Sequence, residues 1–141
     1  MVVGWGLSPK RSEPFSSGCR RNAAQLREAL PLQLALCQRF NVTPVLPAPD
    51  QKVGLAESAR DQNLWPLNGL RHPVAGDACG WYIWAGTEFK TDPDFFVSLH
   101  VRHLPDVCPA ALPYLALPPG WRFLVGPDYE DVWRDESLLH L

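Results

Sequence analysis

Residues 80–86, GWYIWAG, decide the fold of this chain. Their aromatic and β-branched side chains stand between two glycines, which is typical of a β-strand. In a strand, Trp81 and Ile83 point to one side of the sheet, and Tyr82 and Trp84 point to the other. Because both sides are apolar, the pattern predicts a central strand.

A β-hairpin is predicted near the C-terminus. WRFLV at residues 121–125 follows a Pro-Pro-Gly turn, and YEDVW at residues 129–133 follows a Gly-Pro-Asp turn. KVGLA at residues 52–56 is a further short strand candidate. Residues 43–50, TPVLPAPD, are expected to be extended because proline pushes its predecessor out of the α region. Asn68-Gly69 is a strong turn signal.

Short polar side chains that suit helix N-caps precede three apolar segments: Asn22, Asp92 and Asp106. The first helix contains Pro31, which favours a kink or a fresh start over one straight helix. Asn41 is expected to end it. The predicted helices therefore cover residues 22–40 in two pieces, 92–104 and 106–115.

These elements predict a single small α+β domain, an antiparallel sheet packed against short helices, over residues 22–141. The chain has 141 residues, 46% of them hydrophobic and 20% charged, which is a globular composition with enough material for one core. Residues 1–21 mix Gly, Ser, Pro and basic residues without a periodic pattern, and we expect a disordered tail there.

Charge is distributed unevenly along the chain. Residues 1–40 carry six basic and two acidic residues, a net charge of +4, whereas residues 41–141 carry seven basic and thirteen acidic residues, a net charge of −6. An acidic body argues against nucleic acid, whose affinity for proteins comes mainly from Lys and Arg, and it suits a basic partner. No stretch approaches the roughly 18 apolar residues of a membrane span. Four isolated cysteines and no evident signal sequence predict reduced thiols and a cytoplasmic location.

The best candidate for a partner-binding surface is acidic and aromatic. Around the second strand of the hairpin, Glu130 is expected to project opposite to Tyr129 and Asp131, so at least one carboxylate shares a face with an aromatic ring. Such a surface suits Arg and Lys side chains of a partner. The predicted partner-binding residues are Glu88, Asp94, Tyr129, Glu130, Asp131, Trp133 and Asp135. The alternative reading is a solvated edge strand protected by charge.

A second hypothesis is a small-ligand or regulatory pocket beside the central strand. Arg71 would bind a carboxylate or phosphate, and histidine, present here as His72, is the side chain type that can switch charge near neutral pH. The predicted lining is Asn68, Arg71, His72, Trp81 and Trp84. The alternative reading is an ion pair between Arg71 and an acidic neighbour that fixes the loop.

Metal and catalytic readings have weaker support. His100, His103 and Cys108 raise the question of a zinc site, but the sequence has no paired ligand spacing. It also lacks the common nucleophile, phosphate-binding and metalloprotease motifs. Paired carboxylates of a hydrolase, drawn from Glu88, Asp92 or Asp94 with Glu130 or Asp131, remain an alternative. We therefore expect no metal, no cofactor and no enzymatic activity.

Several segments together carry a family resemblance: GWYIWAG, DPDFF with LHVRHL, CPAALPYLALPPGWRFLVGPDYEDVW and DESLL, with LALCQRFNV, KVGLA and PLNGLRHP before them. The chain resembles the immunity-protein-thirty-three-like family of bacterial polymorphic-toxin systems over roughly residues 33–141. This resemblance implies a cytoplasmic domain that binds and blocks a cognate protein toxin. Residues 1–32 fall outside it.

Overall fold

The computed structural model of the chain describes residues 13–87 and 94–140, and the side chains from residue 23 onwards. Two helices and six strands follow in the order α1 Glu13–Arg39, β1 Lys52–Ala56, β2 Leu67–Arg71, β3 Ala78–Ala85, β4 Phe96–His100, α2 Leu104–Val107, β5 Trp121–Val125 and β6 Glu130–Arg134. Short 3₁₀ segments cover Glu57–Arg60, Val101–His103, Pro109–Tyr114 and Glu136–Leu139.

The six strands form one sheet in the order β4-β1-β3-β2-β5-β6. The predicted α+β class is confirmed, with β3 in the interior of the sheet and the β5–β6 hairpin at one edge. The sheet is mixed, because β1 pairs in parallel with β3 while the other four pairs are antiparallel. The predicted antiparallel pairing therefore holds for every pair except β1–β3.

Helix α1 starts before the predicted cap at Asn22 and continues through Pro31. Pro31 and Arg27, whose carbonyl loses a helical hydrogen bond to the proline, are both exposed, so water can solvate the unpaired group. The helix ends as predicted at Asn41, which has a φ of 56°. The Val42 N–H donates to Cys37 O at 3.0 Å and the Asn41 N–H to Gln38 O at 3.1 Å, which is the Schellman arrangement.

Two local predictions were wrong because tertiary pairing overrode them. Asn68-Gly69 is not a turn but the middle of β2, where a Cβ on Gly69 would overlap the ring of Phe123 on β5. Residues 96–100, which were predicted to be helical, form strand β4 and pair with β1. Asp92 and Pro93, the predicted start of that helix, lie outside the described residues.

The sheet has two different faces. One face, which we call the helix face, packs against α1 and the 3₁₀ segment Pro109–Tyr114. Its central row follows the strand register through Val97, Leu55, Ile83, Gly69, Phe123 and Val132. The Trp81 Nε1–H donates to Leu115 O at 2.9 Å, and Tyr114 stacks on Phe123 with ring centroids 4.5 Å apart. Most of the buried core lies on this side.

Candidate functional site

The opposite face of the sheet, which we call the open face, carries residues from all six strands. One row runs in register through Ser98, Gly54, Tyr82, Leu70, Arg122 and Trp133. A second row runs through Trp84, Asn68, Leu124 and Asp131. Strand alternation places these side chains away from the helices.

Aromatic packing divides the open face into a covered part and an accessible part. On the β1–β3–β4 side, the ring of Phe96 lies against Tyr82 and Trp84, with centroid separations of 5.2 and 6.1 Å. The remaining side consists of half-exposed or exposed side chains, which we call the β2–β5–β6 surface: Asn68, Leu70, Arg122, Leu124, Asp131 and Trp133. Apolar groups at its centre therefore meet an acidic and aromatic border on β6.

Asp131 and Trp133 occupy the outer border of this surface. Trp133 is 38% exposed, and Asp131 is also exposed. Within residues 13–87 and 94–140, no hydrogen bond or ion pair is found for the Asp131 carboxylate. Tyr129 lies at the adjoining hairpin turn, is 51% exposed and packs its ring over Gly126, where a Cβ would overlap it. The structure thus brings together Tyr129, Asp131 and Trp133.

Arg122 holds Trp133 in place from the neighbouring strand. Its guanidinium lies over the Trp133 ring, 5.4 Å from the centroid, and its Nη1 donates to Asp135 Oδ2 at 3.2 Å. The Asp135 carboxylate also accepts hydrogen bonds from the Ser137 hydroxyl at 2.6 Å and the Ser137 N–H. The Ser137 hydroxyl and then Arg122 lower the pKa of Asp135. Asp135, a predicted partner-binding residue, therefore has internal partners.

Glu130 lies on the helix face, opposite to Asp131, and is also paired internally. The Tyr114 hydroxyl donates to Glu130 Oε2 at 2.6 Å, and Arg39 Nη2 donates to Glu130 Oε1 at 2.8 Å. The bond from Tyr114, followed by that from Arg39, lowers the pKa of Glu130. Burial and the carboxylate raise the pKa of Tyr114. Glu130 joins β6 to the end of α1.

Asp94, another predicted partner-binding residue, is not part of this surface. Asp94 precedes β4, which is the opposite edge of the sheet from β6. Five strand spacings separate these edges, about 24 Å. Glu88 lies outside the described residues. The same separation keeps Asp94 away from Glu130 and Asp131, so the structure does not assemble the proposed carboxylate pair from these residues.

The five residues of the predicted ligand pocket lie on two faces of the sheet. Arg71 and Trp81 are register partners on the helix face and are each 1% exposed. Asn68 and Trp84 are register partners on the open face, where the Asn68 amide donates to three backbone carbonyls. The His72 Nδ1 lies 3.2 Å from Leu138 O. The structure does not bring these five residues together in one pocket.

Arg71 is a buried structural cation. Its Nε donates to Cys79 O at 2.9 Å, and its Nη1 lies 2.7, 2.8 and 3.2 Å from the carbonyl oxygens of Val45, Leu117 and Leu115. The alternative prediction, an ion pair between Arg71 and an acidic neighbour, was wrong, because the guanidinium binds backbone carbonyls instead. Arg71 thereby connects the 43–50 segment to β3 and to the end of the 109–117 segment.

Metal-ligating side chains do not converge in the described part of the chain. Residues 13–87 and 94–140 contain no group of three or more His, Cys, Asp or Glu side chains placed to hold a metal ion. Cys37, Cys79 and Cys108 are free and buried, and burial raises the pKa of the Cys108 thiol to about 11.

None of the helices described by the structure has the length and apolar character needed to cross a membrane.

Sequence reasoning missed three members of the β2–β5–β6 surface: Leu70, Arg122 and Leu124. The alternation within WRFLV places Arg122 and Leu124 on one side of β5 and would have identified both. Leu70 was hidden because Asn68-Gly69 indicated a turn instead of a strand. Predicting the whole surface therefore required residues 67–71 to be recognised as a strand.

The fold and its accessible surface define a small α+β domain with helices on one face of a mixed sheet and a mixed apolar and acidic surface on the other. A family model of the Imm33-like domain matches residues 32–135, which span the last turns of α1, all six strands and the hairpin. The chain belongs to the Imm33-like family. Membership places the chain in an immunity-protein family. No curated protein and no solved structure matches the chain.

Proposed function

We propose that this domain is a bacterial immunity protein that binds and neutralises a cognate protein toxin through the β2–β5–β6 surface. Family membership supports the class of function. The observation that carries the choice of surface is the juxtaposition of the exposed Asp131 carboxylate and the exposed Trp133 ring, next to apolar Leu124 and Leu70.

The composition of this surface fits a basic partner. Arg122 is neutralised by Asp135, so the charge left at the border of the surface is the negative charge of Asp131, with Asp128 in the adjoining turn. An Arg side chain of the partner can pair with a carboxylate and stack on an indole ring at the same time. Leu70 and Leu124 supply the apolar centre that a protein interface requires.

The expected compartment is the bacterial cytoplasm. Three buried, unpaired thiols, Cys37, Cys79 and Cys108, are compatible with a reducing environment. Binding there would block a toxin that has reached the cytoplasm, without a cofactor.

The test uses isothermal titration calorimetry with the toxin domain that we expect a neighbouring gene to encode, prepared in an inactive form. Asp131→Lys places a positive charge opposite a basic partner, and we expect a loss of at least about 2 kcal/mol, which is roughly a thirtyfold rise in Kd. Trp133→Ala should weaken binding by at least about tenfold, as expected for an aromatic anchor.

The matched control is Glu57→Lys. It makes the same reversal of charge at a side chain that is 90% exposed and lies beyond the end of β1, remote from β5 and β6. Circular dichroism should show the wild-type fold in all three variants. Equal affinity of Asp131→Lys and wild type would exclude this surface, and absence of binding by the wild type would exclude the function.

A further inference from the structure

The two edge strands of the sheet differ in how they are protected. β6 directs the backbone groups of Glu130, Val132 and Arg134 outwards, because the Gly126 N–H donates to Tyr129 O and the Asp135 N–H donates to Gly120 O. Glu130, Asp131 and Arg134 place charges along this edge. Charged side chains are a common means of preventing one edge strand from pairing with another.

β4, at the other edge, lacks such charges within its own five residues. Its sequence FVSLH contains no Asp, Glu, Lys, Arg or Pro. The Val101 N–H donates to Gln51 O at 2.9 Å, and the register with β1 then directs the backbone N–H and C=O of Ser98 away from the sheet. Ser98 is exposed, and Val97 is 55% exposed although it lies on the helix face of the sheet.

The β4 sequence is complementary to itself in antiparallel register. A two-fold axis at Ser98 pairs Ser98 with Ser98 of the second copy through backbone hydrogen bonds. The same register sets Val97 beside Leu99 of the second copy as a non-hydrogen-bonded pair, in which side chains lie closest. Both residues are on the helix face, and Leu99 already packs against the core. Pairing would therefore extend the apolar core and cover Val97.

We infer that this domain forms a symmetric dimer in which β4 pairs antiparallel with β4 of a second copy, so that two sheets become one. A closed two-fold arrangement is the most common form of homo-oligomer. The edge is only five residues long, so the dimer belongs to the weak, transient class of interfaces. β4 lies at the opposite edge from β6, so each copy keeps its β2–β5–β6 surface accessible and the dimer presents two of them.

Sedimentation equilibrium over a concentration series tests the dimer directly. The wild type should rise from the monomer mass of 15.8 kDa towards twice this value. Val97→Lys should raise the dimer Kd at least about tenfold, because symmetry places two ammonium groups against apolar neighbours. Val74→Lys is the matched control, since Val74 is 48% exposed in the connection between β2 and β3, and it should dimerise as the wild type does.

Cross-linking tests the register. In a Cys19→Ser background, Ser98→Cys should form a disulfide-linked dimer under mild oxidation, since hydrogen-bonded antiparallel partners have Cα atoms about 5.5 Å apart, within the range of a disulfide. Ser137→Cys, exposed near the other edge, should remain monomeric. The inference is overturned if the wild type keeps the monomer mass up to a concentration of about 1 mM. A Kd of about 1 mM corresponds to a binding free energy of roughly −4 kcal/mol. A Val97→Lys variant that dimerises as tightly as the wild type also overturns the inference.

Discussion

Replacing Arg71 with Met should destabilise the domain severely, although Arg71 lies on the helix face and is not part of the β2–β5–β6 surface. Three of its hydrogen bonds are short, to Cys79 O, Val45 O and Leu117 O, at 2.7–2.9 Å. The fourth contact is longer, and its acceptor, Leu115 O, also receives the Trp81 Nε1–H, so that carbonyl keeps a donor. Met retains most of the side-chain volume and removes every donor.

The expected loss of stability follows from these contacts. Each of the three carbonyls that loses its Arg71 donor costs about 1–1.5 kcal/mol, roughly 4 kcal/mol together. Removing the buried charge offsets about 1 kcal/mol of this loss, the low end of the gain seen when apolar groups replace buried charges. The net loss is about 3 kcal/mol, which for a chain of this length lowers Tm by about 10 °C.

Urea unfolding followed by tryptophan fluorescence provides the measurement. Arg134→Met is the control, since Arg134 is half exposed and its ion pair with Glu136, at 3.5 Å, is on the surface, so the change should stay below about 0.5 kcal/mol. Arg71→Lys should fall between the wild type and Arg71→Met, because an ammonium group cannot reproduce the forked donor geometry. An Arg71→Met variant that loses less than about 1 kcal/mol would refute the reasoning.

Two further predictions concern the sheet and its connection to α1. Gly69→Ala should destabilise the domain by about 1–3 kcal/mol through overlap with the Phe123 ring, and a loss below about 0.5 kcal/mol in urea unfolding would contradict the steric explanation. Because Tyr114 and Arg39 lower the pKa of Glu130, its contribution to stability should be complete above the ordinary pKa of a glutamate and disappear as the pH falls through the lowered value. Tyr114→Phe should therefore cost about 1 kcal/mol at pH 7 and flatten this acid dependence, and an unchanged stability–pH curve would show that the bond contributes nothing.

The strands that could be predicted from sequence are those whose signals are local. GWYIWAG carries its own alternation and flanking glycines, and the β5–β6 hairpin is connected by a short turn, so neither depends on distant residues. The predictions for the residues of β2 and β4 were wrong for the opposite reason. In β2, glycine is required at position 69 by the Phe123 ring, which lies 54 positions later in the sequence. For β4, the residues before 95–100 indicate a helix cap, and nothing in them shows that β1 offers an edge with which this segment pairs. Tertiary pairing decided both segments.

The same limit applies to the candidate site. Alternation alone places Asp131 and Trp133 on one side of β6 and Glu130 on the other, and the structure has this arrangement. Alternation cannot show which carboxylates have internal partners. Glu130 is paired with Arg39, 91 residues away in sequence, and with Tyr114. Arg71 likewise appears as a free cation in sequence, because backbone carbonyls leave no sequence signal as acceptors.

This division between paired and unpaired carboxylates decides how mutations on β6 should be interpreted. Glu130 and Asp135 hold β6 to α1 and to β5, so their replacement changes the position of the strand and of every side chain on it. A loss of toxin binding by Glu130→Ala would therefore be expected even without a contact between Glu130 and the toxin. Asp131 has no such structural role in the described contacts, so a binding defect of Asp131→Asn with unchanged unfolding free energy would identify a contact. If Asp131→Asn instead loses as much stability as Glu130→Gln, its carboxylate supports the fold, and the assignment of the β2–β5–β6 surface loses its main support.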